Sequence, residues 1–453
     1  MFDMQPAVNP IAATDVHEIL GQHILADGYP MVLDMVHSKG PYLRDLKTGK
    51  DFIDFFGFYA SNALGMNHPG LTENEPFKER LMEAAMNKIA NSDIYTPHFA
   101  RFIQTFSRVG IPDYLPYTFF VSGGALAVEN ALKTAFDWKV QKNFMKGYRH
   151  EKGMKVMHFD QAFHGRSGYT LSLTNTADPR KTQYFPKFDW PRISNPKVHF
   201  PITEENLPEL QCREMMAMSQ AKQFFQTHKD DIACIIVEPV QGEGGDNHFR
   251  REFLQELKDL AHENDALLVF DEVQTGVGIS GEFWLHQAVG VTPDIIAFGK
   301  KTQVCGILAG KKLDEVHGHV FQTSSRINST WGGNLVDMVR FDRILEVIEE
   351  ENLVQNSATV GAYLKTQLHG LAANHAVISN VRGLGLMCAF DLPSGAFRDA
   401  VVNDAYEKGL VVLGCGDRTI RFRSPLTVTP EQIDIGLQVL EASIKDVAVK
   451  HAA

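Results

Sequence analysis

Between residues 117 and 300 the chain repeats one pattern, and no other feature limits its fold as strongly. Short apolar runs alternate with longer stretches of helical periodicity. The runs are Thr118–Val121 (TFFV), Val156–Phe159 (VMHF), Ala233–Val237 (ACIIV), Ala266–Phe270 (ALLVF) and Ile295–Phe298 (IIAF). A strand with one wet face would alternate apolar and polar residues, and these runs do not. Near-continuous apolar strands separated by helices indicate a mostly parallel sheet covered on both faces, hence an α/β fold. Between two of the runs, Phe253, Leu254, Leu257, Leu260 and Ala261 fall at helical intervals.

The residues that follow each run carry the chemistry. After TFFV comes Ser122-Gly123-Gly124-Ala125. After VMHF comes Asp160, then Phe163, His164 and Arg166. Glu238 follows ACIIV, Asp271 and Glu272 follow ALLVF, and Gly299-Lys300 follows IIAF. In an open α/β sheet, ligands bind beyond the carboxyl ends of the strands. Five strand ends bearing Ser/Gly, His/Arg, Glu, Asp and Lys are therefore expected to converge on one site.

The remaining segments are less regular. At roughly 150 residues per domain, 453 residues suggest two or three domains. The division read here is an N-terminal arm over 1–60, a large domain over 61–334 and a smaller α+β domain over 335–453. In the arm, Phe52–Phe58 (FIDFFGF) reads as a buried strand, or else as a pocket wall or subunit contact. In the last region, Asp337–Glu350 and Glu431–Val447 read as helices. Gly383–Phe390 (GLGLMCAF) and Leu410–Leu413 (LVVL) read as strand-like segments.

Charge and cysteine usage exclude several classes. Lys and Arg number 44 against 55 Asp and Glu, a net charge of −11, which disfavours nucleic acid or an anionic membrane as the main partner. No apolar run approaches the roughly 18 residues of a membrane span, and no secretory signal is expected. Five cysteines with no CxxC pair argue against a disulfide framework or a zinc ribbon and fit a reducing cytoplasm.

Two motifs suggest a mechanism. Glycines at the turn from TFFV into a helix over Leu126–Val140 would let backbone N–H groups reach a phosphate, although a plain tight turn reads the same way. Lys300 would emerge at the sheet edge together with Asp271. A lysine paired with a strand-end aspartate suggests Schiff-base chemistry with pyridoxal 5′-phosphate, the aspartate holding the ring nitrogen. Phe163 could lie on a ring face. Lys301 is adjacent, and the strand rhythm favours Lys300.

At these residues the chain resembles the class III aminotransferases of fold type I, which depend on pyridoxal phosphate. The stretch Asp271-Glu272-Val273-Gln274-Thr275-Gly276-Val277-Gly278, then Trp284, then Pro293-Asp294-Ile295-Ile296-Ala297-Phe298-Gly299-Lys300 carries the family's most diagnostic pattern and selects Lys300 over Lys301. GGALAVENALK (123–133), AFHGRS (162–167), EPVQGEGG (238–245), STWGGN (329–334) and IRFRSPL (420–426) agree in order. The resemblance implies that backbone amides near Gly124 and Ala125 hold the phosphate and that Phe163 stacks on the pyridine ring. It implies that Asp271 pairs with the ring nitrogen and that Gln274 lies near the phenolic oxygen and the substrate. Thr330 would reach the phosphate in a partner subunit, so a homodimer with shared sites is expected. Two departures stand out. Gly-Gly-Ala-Leu replaces the family's Ser-Gly-Thr-Glu turn, and Gly278-Ile279-Ser280-Gly281 replaces Gly-Arg-Thr-Gly.

The resemblance also implies substrates. Arg421, with Arg423 as its nearest competitor, matches the family's arginine for the carboxylate beside the reacting carbon. Arg166 is the natural second clamp for 2-oxoglutarate, the dicarboxylate acceptor. Members that use terminal amines cover the first arginine with a glutamate, and Glu243 stands in that place. This points to an ω-aminotransferase using lysine, ornithine or 4-aminobutyrate. FGKKTQVCGILAG (298–310) and FHGRSGYTLSLTNT (163–176) are most similar to members that use L-lysine, whose α-carboxylate Arg166 would hold. The product expected is 2-aminoadipate 6-semialdehyde, which cyclises to a piperideine carboxylate. A doubly wound NAD-linked dehydrogenase is the rival, but no GxGxxG fingerprint follows a first strand.

Overall fold

The computed structural model describes residues 11–452; the first ten residues of the expected arm, and Ala453, lie outside them. The central sheet has seven strands: β1 (Tyr117–Val121), β2 (Lys155–Phe159), β3 (Arg192–Ile193), β4 (Ile232–Val237), β5 (Leu267–Asp271), β6 (Ile295–Phe298) and β7 (Cys305–Ala309). Their order is β1-β7-β6-β5-β4-β2-β3. All pairs are parallel except those of β7, which runs antiparallel to both β6 and β1. The five expected strands are present, and the fold is the mostly parallel α/β sheet read from the sequence. β3 and β7 are additions. β3 has two residues, too few to leave a periodic signal.

Burial explains why the strand runs are so apolar. In β5, Leu268 and Phe270 enter one hydrophobic cluster, while Leu267 and Val269 enter another. β6 divides in the same way, Ile296 and Phe298 against Ile295 and Ala297. Neighbouring residues face opposite sides of the sheet, and both sides are covered. Helix Gly124–Met145 covers one face through Ala127, Val128, Ala131, Leu132, Ala135 and Trp138. Helix Arg251–Glu263 covers the other through the five apolar residues recognised in the sequence.

Helices Leu335–Glu350 and Pro430–Ala452 extend the two expected near the C-terminus. The strand-like segments there need correction. GLGLMCAF is not one strand. Ser379–Leu384 and Met387–Asp391 form an antiparallel hairpin that turns at Gly385 and Leu386. LVVL is also divided. Leu410–Val411 pairs in parallel with Asp51–Asp54 of the N-terminal segment, and Leu413–Cys415 pairs with Thr419–Arg421. Thr419–Arg421 is therefore an inner strand of a four-stranded sheet, with Met387–Asp391 on its other side. That position holds Arg421 rigidly.

FIDFFGF is a buried strand only in its first half, and it is the neighbouring Tyr59, not a residue of the segment itself, that reaches the ligand cavity. Asp51–Asp54 is a strand, and the chain then makes a left-handed turn with φ of 53°, 51°, 59° and 70° at Gly57, Phe58, Tyr59 and Ala60. Four consecutive left-handed residues, three of them bearing Cβ, are costly. Asp54 supports the turn, its Oδ1 accepting from the N–H groups of Phe56 (2.9 Å) and Gly57 (2.7 Å). The turn brings Tyr59 to the site.

Candidate active site

A cavity of about 520 Å³ lies at the carboxyl edge of the central sheet. Gly124 and Ala125 enter it after β1, Phe163, His164 and Arg166 after β2, and Glu238 after β4. Asp271 and Gln274 enter at the end of β5, and Lys300 after β6. The convergence argued from strand rhythm is thus the geometry observed. Glu243, Arg421, Tyr59, Lys181 and Val273 complete the lining.

Lys300 opens the short 3-10 turn Lys300–Thr302 between β6 and β7 and adopts φ 55°. The turn aims its amine into the cavity, 5.8 Å from the centroid of the Tyr59 ring. Burial, then the nearby Arg421 cation, pull the amine below its ordinary pKa. Lys301 faces the protein interior. Its Nζ donates to the carbonyls of Ala60 (3.1 Å) and Gln274 (3.3 Å), and the residue is 2% exposed. Only the first lysine can meet a ligand in the cavity.

Asp271 accepts from the backbone N–H of Val273 (3.1 Å) on Oδ1, and Oδ2 lies 2.8 Å from Nδ1 of the buried His164. His164 Nε2 has no partner among the described residues. Glu238 lies close by. Its two oxygens accept from the N–H groups of Phe163 (2.9 Å) and Gly242 (3.0 Å). Burial, reinforced by the Asp271 charge, pushes its pKa up to about 7. Glu238 and His164 stand out in the sequence only as strand-end residues, because their partners come from other strands.

At the glycine turn, Gly123 takes φ 106° and begins helix Gly124–Met145 with no side-chain cap. The first N–H groups of that helix are left for a ligand, and anions favour such a terminus. A Cβ on Gly124 would lie 2.9 Å from Val273 Cγ1, so the turn accommodates no side chain there. The loss of the family's Thr-Glu side chains therefore leaves a cradle made of backbone.

The two candidate arginines are separated by their partners. Arg423 is fully buried and spent on structure. It forms a two-point ion pair with Asp246 (2.9 and 2.5 Å) and donates to Gln274 Oε1 (3.0 and 2.7 Å). Arg421 lines the cavity. Its Nη2 donates to Glu243 Oε2 (3.1 Å), its Nη1 to Gln274 Oε1 (3.3 Å), and its Nε is unpartnered among the described residues. Glu243 also contacts Lys181, a residue that no sequence pattern singles out. Arg166 is an exposed cation at the cavity wall with no carboxylate partner among the described residues. Thr330 is outside the cavity, on the surface, its carbonyl accepting from Ser92 Oγ (3.2 Å).

Taken as a donor set, these residues fit a group with an aldehyde, a basic ring nitrogen and a phosphate. The amine of Lys300, the carboxylate of Asp271, the ring of Phe163 and the backbone turn at Gly124 correspond to its parts. Comparison with known proteins agrees. The model for the class III aminotransferases matches residues 24–444. The chain is 51% identical over 439 residues to the L-lysine-epsilon aminotransferase of Mycobacterium tuberculosis, covering 97% of each. It is 50% identical over 434 residues to the enzyme so named from Amycolatopsis lactamdurans, covering 95% of this chain and 96% of that one. The solved lysine aminotransferase of M. tuberculosis in the internal aldimine form superposes with a TM-score of 0.94 at 50% identity. It covers 96% of this chain and 100% of its own.

Proposed function

The chain belongs to the class III aminotransferases, and from that membership and the cavity around Lys300 we propose that it moves the ε-amino group of L-lysine to 2-oxoglutarate. Pyridoxal 5′-phosphate is the cofactor. When bound, it supplies an aldehyde that takes up the amine and a ring that accepts the electron pair left on carbon as a proton departs.

The protein's own residues do the rest. Lys300 holds the cofactor through its amine and, once displaced by the donor, takes the proton from the amine-bearing carbon at Nζ. Burial and the Arg421 cation shift its pKa downward, in the direction that favours the free amine this role needs. Asp271, oriented by His164 at 2.8 Å, holds a positive charge on the ring nitrogen. Phe163 would cover one ring face, and the N–H groups at Gly124 and Ala125 would bind the phosphate. Gln274 would lie beside the phenolic oxygen and the substrate. Arg166 holds the remote carboxylate of either substrate.

The observation that carries the choice of donor is the 3.1 Å contact between Glu243 and Arg421. A terminal amine brings no carboxylate to Arg421, which is 2% exposed, and a buried cation left unpaired is costly. Glu243 neutralises it for the amine half-reaction. A 2-oxoglutarate carboxylate would take its place in the other half.

Two further readings accompany this one. The chain acts as a homodimer in which Thr330 reaches the partner's cofactor phosphate. Support comes from the exposed apolar side chains Ile94, Tyr95 and Trp331 beside Thr330, in segments joined by the Asn91 Nδ2 bond to the Trp331 carbonyl (3.0 Å). The enzyme works in the cytoplasm. Its five unpaired cysteines fit a reducing compartment, and no described helix is long and apolar enough to cross a membrane.

The test is isotopic. With L-lysine labelled at the ε-nitrogen, label appears in glutamate and the product cyclises. Label transferred only from the α-position, or faster reaction with ornithine or 4-aminobutyrate than with lysine, would overturn the assignment.

A further inference from the structure

Glu243 is held from two sides. Oε2 meets the Arg421 guanidinium at 3.1 Å, and Oε1 contacts the Lys181 ammonium. The two cations differ in kind. Arg421 is fixed on an inner strand of the small sheet, paired with Ala389 on one side and Leu413 on the other. Lys181 ends the surface 3-10 turn Pro179–Lys181, which Asp178 caps by accepting from the Arg180 N–H (3.1 Å). Arg180 is tied to the same aspartate by two further bonds, of 2.8 and 3.0 Å. Lys181 has no other carboxylate partner among the described residues.

A second cavity, of about 590 Å³, lies on the outer side of this pair. Lys181 and Glu243 are the two residues that line both cavities, so their ion pair is the wall between them. The backbone around Glu243 is fixed. Its carbonyl accepts from Gly416 N–H (2.9 Å). A Cβ on Gly242 would lie 2.3 Å from Gln274 Oε1, and one on Gly244 would lie 2.1 Å from the Gln161 carbonyl oxygen. Any exchange at Glu243 is thus a side-chain rotation, and the outer cavity has room for it.

We infer that Lys181 is a positioning residue for the substrate exchange: it retains the Glu243 carboxylate when a substrate carboxylate takes Arg421. This rests on the donor and acceptor reading given above. Without Lys181, a Glu243 leaving Arg421 would give up its only ion pair. With Lys181, it keeps one throughout the rotation. The residue therefore favours the 2-oxoglutarate half-reaction, which uncovers Arg421, and has little effect on the amine half, which leaves Arg421 covered.

The test uses holoenzyme in single turnover, each half followed by the cofactor's absorbance. The acceptor arm starts from enzyme loaded with pyridoxamine phosphate, so it reads Lys181 whichever donor the enzyme prefers. The amine arm uses L-lysine, or ornithine or 4-aminobutyrate if wild type prefers one of them. Lys181→Met weakens 2-oxoglutarate on the order of tenfold while the amine half changes little, because one charged hydrogen bond at a partly exposed site is lost. Lys181→Arg restores the acceptor half. Equal weakening of both halves, an unaffected acceptor half, or no rescue by arginine would overturn the inference. If wild type fails with lysine but the acceptor arm responds as described, the choice of donor falls and the role of Lys181 stands.

Discussion

Asp54 gives the fold a pH dependence that can be worked from its surroundings. It is fully buried. Oδ1 accepts the two backbone N–H groups that support the left-handed turn, and Oδ2 has no partner among the described residues. Burial raises its pKa from 3.8 to about 6, although the Gly57 and Phe56 N–H groups oppose the shift. Between these values the folded protein keeps a proton that the unfolded chain releases. Stability is therefore lost as pH rises through this window. The full loss is about 3 kcal/mol, from a shift of roughly 2 units at about 1.4 kcal/mol each. About half has already occurred by about pH 5, and nearly all by about pH 7.5. Asp54→Asn retains Oδ1 for both N–H groups and removes the ionisation. Its stability relative to wild type should rise by roughly 1–2 kcal/mol between about pH 5 and about pH 7.5. Urea midpoints of the two holoenzymes across that range provide the measurement. Parallel profiles, or a relative stability that falls with pH, would refute the reasoning. Asp54→Ala removes the acceptor as well, so it should loosen Tyr59 over Lys300 and lower turnover where asparagine does not.

Other consequences concern the site. Lys300→Ala should abolish transfer and the visible absorbance of the bound cofactor. Lys301→Met should keep both and lower stability by about 1–3 kcal/mol, because two buried carbonyls lose their donor. A spectrum and a melting curve of each variant distinguish these outcomes. Arg166→Ala should raise KM for lysine and for 2-oxoglutarate about tenfold to a hundredfold, read from steady-state kinetics with each substrate varied. Glu243→Ala should slow the lysine half-reaction more than the glutamate half-reaction in stopped-flow traces. Equal slowing would assign Glu243 a structural role.

The parts legible in the sequence are those whose signal is local. β4, β5 and β6 could be read because burial on both faces demands continuous apolar residues, and the polar residue after each run marks the strand end. Lys300 and Asp271 followed from the same rhythm, and the choice of Arg421 over Arg423 followed from the motif around them. Glu243 opposite Arg421 came from resemblance, since 178 residues separate the pair. What remained hidden depends on contacts made across the fold. The turn at 57–60 is left-handed because Asp54 holds its amides, not because its residues prefer that conformation. LVVL divides between two sheets because the Asp51–Asp54 strand, more than 350 residues earlier in the chain, takes half of it. Lys181 reaches Glu243 across 62 residues from a surface turn with no periodic signature. Periodicity reports which side of an element is buried, and so the sequence by itself determined five strands of the sheet and the residues at their carboxyl ends. Which side chain faces which is set by how elements distant in the chain pack together. For that reason only the tertiary structure decided the partners of Arg423, Lys301 and Lys181.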